Sequence, residues 1–149
     1  MTKIFSNIRR AQLVSAALAA VLATLFPFAS APSAAAGDDP GVQVRSVFAE
    51  KLPNVPGNSL TAVVVTYAPG GKSPKHRHAG SVFAYVLSGV IRSENSATGP
   101  AKVYKTGESF FEPPGSEHLV SENASTTEPA SLLAVFVANH GAQLTIYGE

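Results

Sequence analysis

The chain has 149 residues, the size of one ordinary domain and too short for two. Its 11 Lys+Arg against 10 Asp+Glu give a formal charge of +1, and its 14% of charged residues is well below a solvating, disordered composition. A charge so near zero argues against nucleic-acid binding; zero cysteines exclude a disulfide scaffold, a thiolate zinc site, a Cys nucleophile and a lipid-modified Cys anchor.

These bulk values average two unlike segments. Lys3, Arg9 and Arg10 form a basic head, an apolar stretch runs from Ala11 to Phe28, and no charge occurs between Arg10 and Asp38. Ala34-Ala35-Ala36 supplies the small residues that a signal peptidase needs, so residues 1–36 read as a secretory signal peptide cut before Gly37. The alternative is an uncleaved anchor, since the stretch is long enough to span a bilayer at roughly 18 residues. Arg9-Arg10 followed by Leu13 faintly resembles a twin-arginine signal, but Ile8 and Gln12 stand where that signal has Ser and Phe, which favours an ordinary basic head and leaves the export route open. Removing the leader leaves 8 basic and 10 acidic residues, a slightly acidic chain expected outside the cytoplasm, in the periplasm or beyond the cell, and off the membrane.

Residues 37–41 carry Asp38, Asp39 and Pro40 and read as a flexible linker. From residue 42 to 149 the pattern is short β-type runs: Val42 to Ala49, Leu60 to Tyr67, Val82 to Ile91, Lys102 to Lys105, Ser109 to Glu112, His118 to Ser121, Leu132 to Ala138 and Leu144 to Tyr147. Pro69-Gly70-Gly71, Ser88-Gly89, Gly99-Pro100, Gly107, Pro113-Pro114-Gly115 and Gly141 punctuate them. About eight short strands with regular turn signals predict a single all-β sandwich or barrel. Within it, Val63, Val65, Phe110, Leu133, Val135 and Val137 are expected to face the core, with Phe83, Tyr85 and Leu87 packed on the opposite side of their strand from Val82.

All four histidines fall after residue 36. His76 and His78 are two apart, a spacing that puts both imidazoles on one face of a strand, whereas on a helix it would splay them. His118 follows Pro113-Pro114-Gly115 and supplies a third ligand from a neighbouring strand. Gly70, five residues, His76-Arg77-His78 and then Gly89 resemble the first motif of the cupin superfamily. Gly107, five residues, Pro113-Pro114-Gly115, two residues, His118 and then Asn123 resemble the second. The spacing between them resembles that of small single-domain bacterial cupins, over residues 60–138. The resemblance implies a jelly-roll β-barrel of six to eight strands, with a divalent metal ion held inside it by His76, His78 and His118. Pairing into a homodimer is an expectation of the resemblance alone. His140, in Ala138-Asn139-His140-Gly141, reads as a turn residue at the surface.

The chain departs from the first motif at Val82, where cupins usually carry Glu. Three neutral imidazoles without a carboxylate would leave the ion its full charge, acidify bound water and draw in an anionic or enolate ligand. Such a set accommodates Fe2+, Zn2+, Cu2+, Ni2+ and, less well, Mn2+. Glu112, between Phe110-Phe111 and Pro113-Pro114, is the residue that can compensate, as an acid/base or an extra ligand, if it faces inward; at a turn it can equally face solvent. Glu94, Glu117 and Glu122 read as surface charge, as do Lys75 and Arg92, and Arg77 alternates out of the barrel. The resemblance implies a metal-dependent enzyme acting on a small molecule, by dioxygenase-like chemistry or by Lewis-acid lyase or isomerase chemistry on a carbonyl or thiol compound. The alternative is a module that binds or senses a metal or small ligand without turnover.

Overall fold

A computed structural model describes residues 41–148. The expected leader, 1–36, and all of the expected linker but Gly41 lie outside the described residues. Among the described residues there are ten strands and no helix: β1 Val42–Lys51, β2 Asn58–Tyr67, β3 His76–His78, β4 Ser81–Ser88, β5 Val90–Asn95, β6 Gly99–Lys105, β7 Ser109–Glu112, β8 Glu117–Asn123, β9 Ala130–Asn139 and β10 Thr145–Tyr147. They form two five-stranded antiparallel sheets, ordered β1-β2-β9-β4-β7 and β10-β3-β8-β5-β6. Strands far apart in sequence lie side by side, as β2 does with β9 and β3 with β8, which makes a jelly roll.

Two features of the strand pattern differ from the sequence expectation. The run Val82 to Ile91 is two strands in two different sheets, because Gly89 breaks it at φ +73, where a β-carbon would stand 2.7 Å from the Pro129 carbonyl oxygen. The histidine pair also forms a strand of its own, β3, three residues long and held between β10 and β8.

The first sheet carries the apolar core. Val63, Val82, Val86, Leu132, Ala134 and Phe136 are buried there, with Ile91 of the second sheet packed against them. Val82, Val86 and Ile91 are the largest fully enclosed side chains, and burial of each contributes about 1.5–3 kcal/mol. The expectation for β9 needs correcting. Leu132, Ala134, Phe136 and Ala138 face inward, while Leu133, Val135 and Val137 take the outer face. The run from Leu132 to Ala138 has no polar residue to mark its parity; pairing with β4 sets it, since Val82 lies across from Phe136 and Ala84 from Ala134. Phe83, Tyr85 and Leu87 do point away from Val82, but that outer face is bare, and Phe83 is 46% exposed.

Candidate metal centre

Alternation on β3 buries His76 and His78 and exposes Arg77. His118 enters from β8 directly across from His76. The turn before it is tied to the pair, because the Gly115 amide donates to the His78 carbonyl at 2.8 Å. Gly115 takes φ +74 to make that turn, a conformation natural to glycine after two prolines. One ring nitrogen from each of the three histidines lies within 4.8 Å of the others.

Hydrogen bonds to carbonyl oxygens define two of the tautomers. His76 Nδ1 donates to the Pro74 carbonyl at 2.7 Å and His78 Nδ1 to the Leu144 carbonyl at 2.9 Å. A carbonyl can only accept, so each Nδ1 holds the proton and each Nε2 keeps a lone pair. Burial lowers the pKa of His76 to about 4 and that of His78 below its ordinary value, so both rings are neutral, the form that binds metals. His118 Nε2 lies 2.9 Å from Ser93 Oγ, while its Nδ1 is buried with no hydrogen-bond partner among the described residues.

Glu112 completes the cluster. Only 3% exposed, it places Oε2 3.0 Å from His118 Nδ1, in a contact too bent to be a hydrogen bond, and 3.8 Å from His78 Nε2. Asn95 Nδ2 reaches the same oxygen at 3.3 Å. Burial pushes its carboxyl toward the protonated form, but the contact with His118 outweighs this and holds it below its ordinary value. Register explains its position: Glu112 on β7 lies directly across from Val82 on β4. The carboxylate missing from position 82 is thus supplied by the neighbouring strand in the same row.

The arrangement fits a divalent cation. Lone pairs on two imidazoles and an orphaned buried nitrogen on a third converge beside one carboxylate, a donor set of nitrogen and oxygen without sulfur. Around it is a pocket whose walls are mainly apolar, among them Val44, Val63, Val65, Leu132 and Phe136.

Four further polar groups at this site carry no motif of their own. Ser93, Asn95 and Ser121 are buried in the second sheet, and Tyr67 reaches across from the first. The alternation of Ile91, Ser93 and Asn95 is the one signal that marks Ser93 and Asn95 as inward. For Ser121 the parity misleads, because β8 carries an extra residue, Leu119, where Asn95 pairs with His118 and Glu94 with Val120. The remaining charged candidates lie outside the pocket lining: Lys75 pairs with Glu117 and Arg92 with Glu122, each at 2.8 Å. His140 is exposed and lies 2.9 Å from Ser59 Oγ.

Comparison with known proteins agrees with this architecture. Residues 63–136 match the cupin domain family. The chain is 33% identical over 100 residues to germin-like protein subfamily 2 member 2 of Arabidopsis thaliana, an alignment covering 64% of this chain and 45% of that protein. It thus spans under half the length of that relative. The fold is similar to that of an RmlC-like cupin from Shewanella frigidimarina, with a TM-score of 0.53 and 22% identity over 70% of this chain and 83% of that one. KdgF from Halomonas sp. is similar too, with a TM-score of 0.54 and 21% identity over 70% and 86% of the respective chains. The described residues thus form an all-β jelly roll, similar over residues 63–136 to the cupin domain, with a three-histidine group inside it.

Proposed function

We propose that the chain is an exported, metal-dependent cupin enzyme that moves a proton on a small carbonyl compound inside the barrel. The observation that supports this most is Glu112, a buried carboxylate aimed at the histidine cluster in a pocket with room for a ligand. His76, His78 and His118 would hold the ion, which when bound supplies Lewis acidity toward a carbonyl or hydroxyl oxygen. Glu112 Oε2 accepts the proton, with Asn95 holding the carboxylate in place. The apolar walls keep water away from the reacting atoms, which strengthens each electrostatic contact there.

The test is exchange of α-protons for deuterium, followed by NMR, across a panel of 2-oxo and α-hydroxy carbonyl compounds with the zinc-, iron- or manganese-loaded protein. The expected result is exchange of at least one compound, slowed at least about a hundredfold by Glu112→Gln while metal content is kept. Metal-dependent oxygen uptake without proton exchange would replace this reading with oxidative cleavage. Metal held with neither activity would leave the binding module.

A further inference from the structure

Three residues along β8 from His118, and three before His76, the pocket has a second polar feature, made only of hydroxyls. Tyr67, at the end of β2 in the apolar sheet, is buried and reaches Ser121 Oγ of the facing sheet at 2.8 Å and Ser73 Oγ at 3.2 Å. All three residues line the same pocket as Glu112 and the histidines. Three hydroxyls bring three protons, but the cluster contains only two oxygen–oxygen contacts, and each uses one proton. Whichever way the rotors turn, one donor remains with no protein acceptor among the described residues. On Tyr67 or Ser121, which are buried, a donor in that state is costly unless something in the cavity accepts from it, whereas on the half-buried Ser73 it can reach solvent.

The charges of the pocket limit what that something can be. Among the described residues no Lys or Arg lines it, and Glu112 is the one carboxylate that does. A divalent ion beside that carboxylate leaves one net positive charge, enough to offset a single anionic group in an apolar cavity and not two. Burial raises the Tyr67 pKa, so its phenol remains a neutral donor rather than a counter-charge.

We propose that the Tyr67–Ser121–Ser73 hydroxyls recognise the far end of the ligand. The ligand is then a neutral or singly charged chelating molecule with an acceptor oxygen at the end away from the metal, rather than a dianion. This rests on the pocket holding a metal-bound small molecule, as proposed above.

Three pyranones of one shape separate the alternatives by calorimetric titration of the zinc-loaded protein. Kojic acid, allomaltol and comenic acid share the chelating ketone and hydroxyl; their distal groups are hydroxymethyl, methyl and carboxylate. Kojic acid is expected to bind about five- to tenfold tighter than allomaltol, the factor of one net hydrogen bond, and tighter than comenic acid. The doubly substituted Tyr67→Phe/Ser121→Ala protein, with its zinc content and melting temperature checked, should bind kojic acid and allomaltol equally. Equal binding of the two by the unaltered protein would overturn the proposal. So would a preference that survives the double substitution, tightest binding of comenic acid, or no pyranone binding by protein that holds zinc. Failure of the protein to take up zinc would instead refute the metal reading on which the proposal rests.

Discussion

The inward face of the β1-β2-β9-β4-β7 sheet buries Val63, Val82, Val86, Leu132 and Phe136, whereas that of the β10-β3-β8-β5-β6 sheet buries His76, His78, Ser93, Asn95, His118 and Ser121. Each sheet makes one principal exception. Ile91 is the buried aliphatic residue of the polar sheet, and Glu112 is the buried charge of the apolar one. On the outer faces, Phe83 and Phe111 are exposed on the apolar sheet, while the Lys75–Glu117 and Arg92–Glu122 ion pairs lie at the other. One sheet therefore supplies cohesion and walls, and the other supplies ligands with the hydrogen bonds that orient them. Glu112 matters because it is a carboxylate carried into the ligand side from the cohesive sheet.

The largest expected effect breaks that division by adding a second charge. Val82→Glu would place a carboxylate directly across the strand from Glu112, at a Cβ separation of about 5 Å. The metal-free protein should lose about 3–5 kcal/mol in denaturant unfolding, the cost of an uncompensated buried charge. The double exchange Val82→Glu/Glu112→Val, which restores one carboxylate to the row, should recover most of that loss. No recovery would mean that the two positions do not share one site.

Acid should weaken the polar sheet next. Native His76 binds its proton only near pH 4, whereas unfolded histidine does so near 6.5, and His78 is shifted in the same direction. Between those values the unfolded chain holds more protons, so stability of the metal-free protein falls as pH drops from 6.5 toward 4. His76 alone accounts for about 3 kcal/mol of this fall. Glu112 adds stability that is present above its ordinary value of 4.5 and lost as pH falls through its lower native value. Denaturant midpoints measured at pH 7, 5.5 and 4 check the slope; His76→Ala should flatten it.

The smallest effect is expected on the outer face of the apolar sheet. Phe83→Ser removes a ring that is about half exposed, and it should change stability by less than about 1 kcal/mol with no change in metal content. Thermal unfolding and metal analysis of the same preparation measure both.

Much of this division is legible in the sequence, and the illegible part has a common cause. His76 and His78 declare their shared face by spacing, and His118 by the Pro-Pro-Gly turn before it. The absence of Glu at Val82 is equally plain, but that Glu112 fills the same row requires the register between β4 and β7, which two strands well separated in sequence do not disclose. The inward side of β9 was hidden for a similar reason, because Leu132 to Ala138 is apolar throughout and only its neighbours choose its parity. Tyr67 looks like an ordinary strand aromatic until Ser121 and Ser73 are seen beside it.

Metal analysis of the zinc-equilibrated and desalted protein, compared with its His76→Ala/His78→Ala counterpart, tests the central claim most directly. The three-histidine centre predicts about one ion per chain in the first and none in the second. Equally little metal in both, from folded protein, would contradict it.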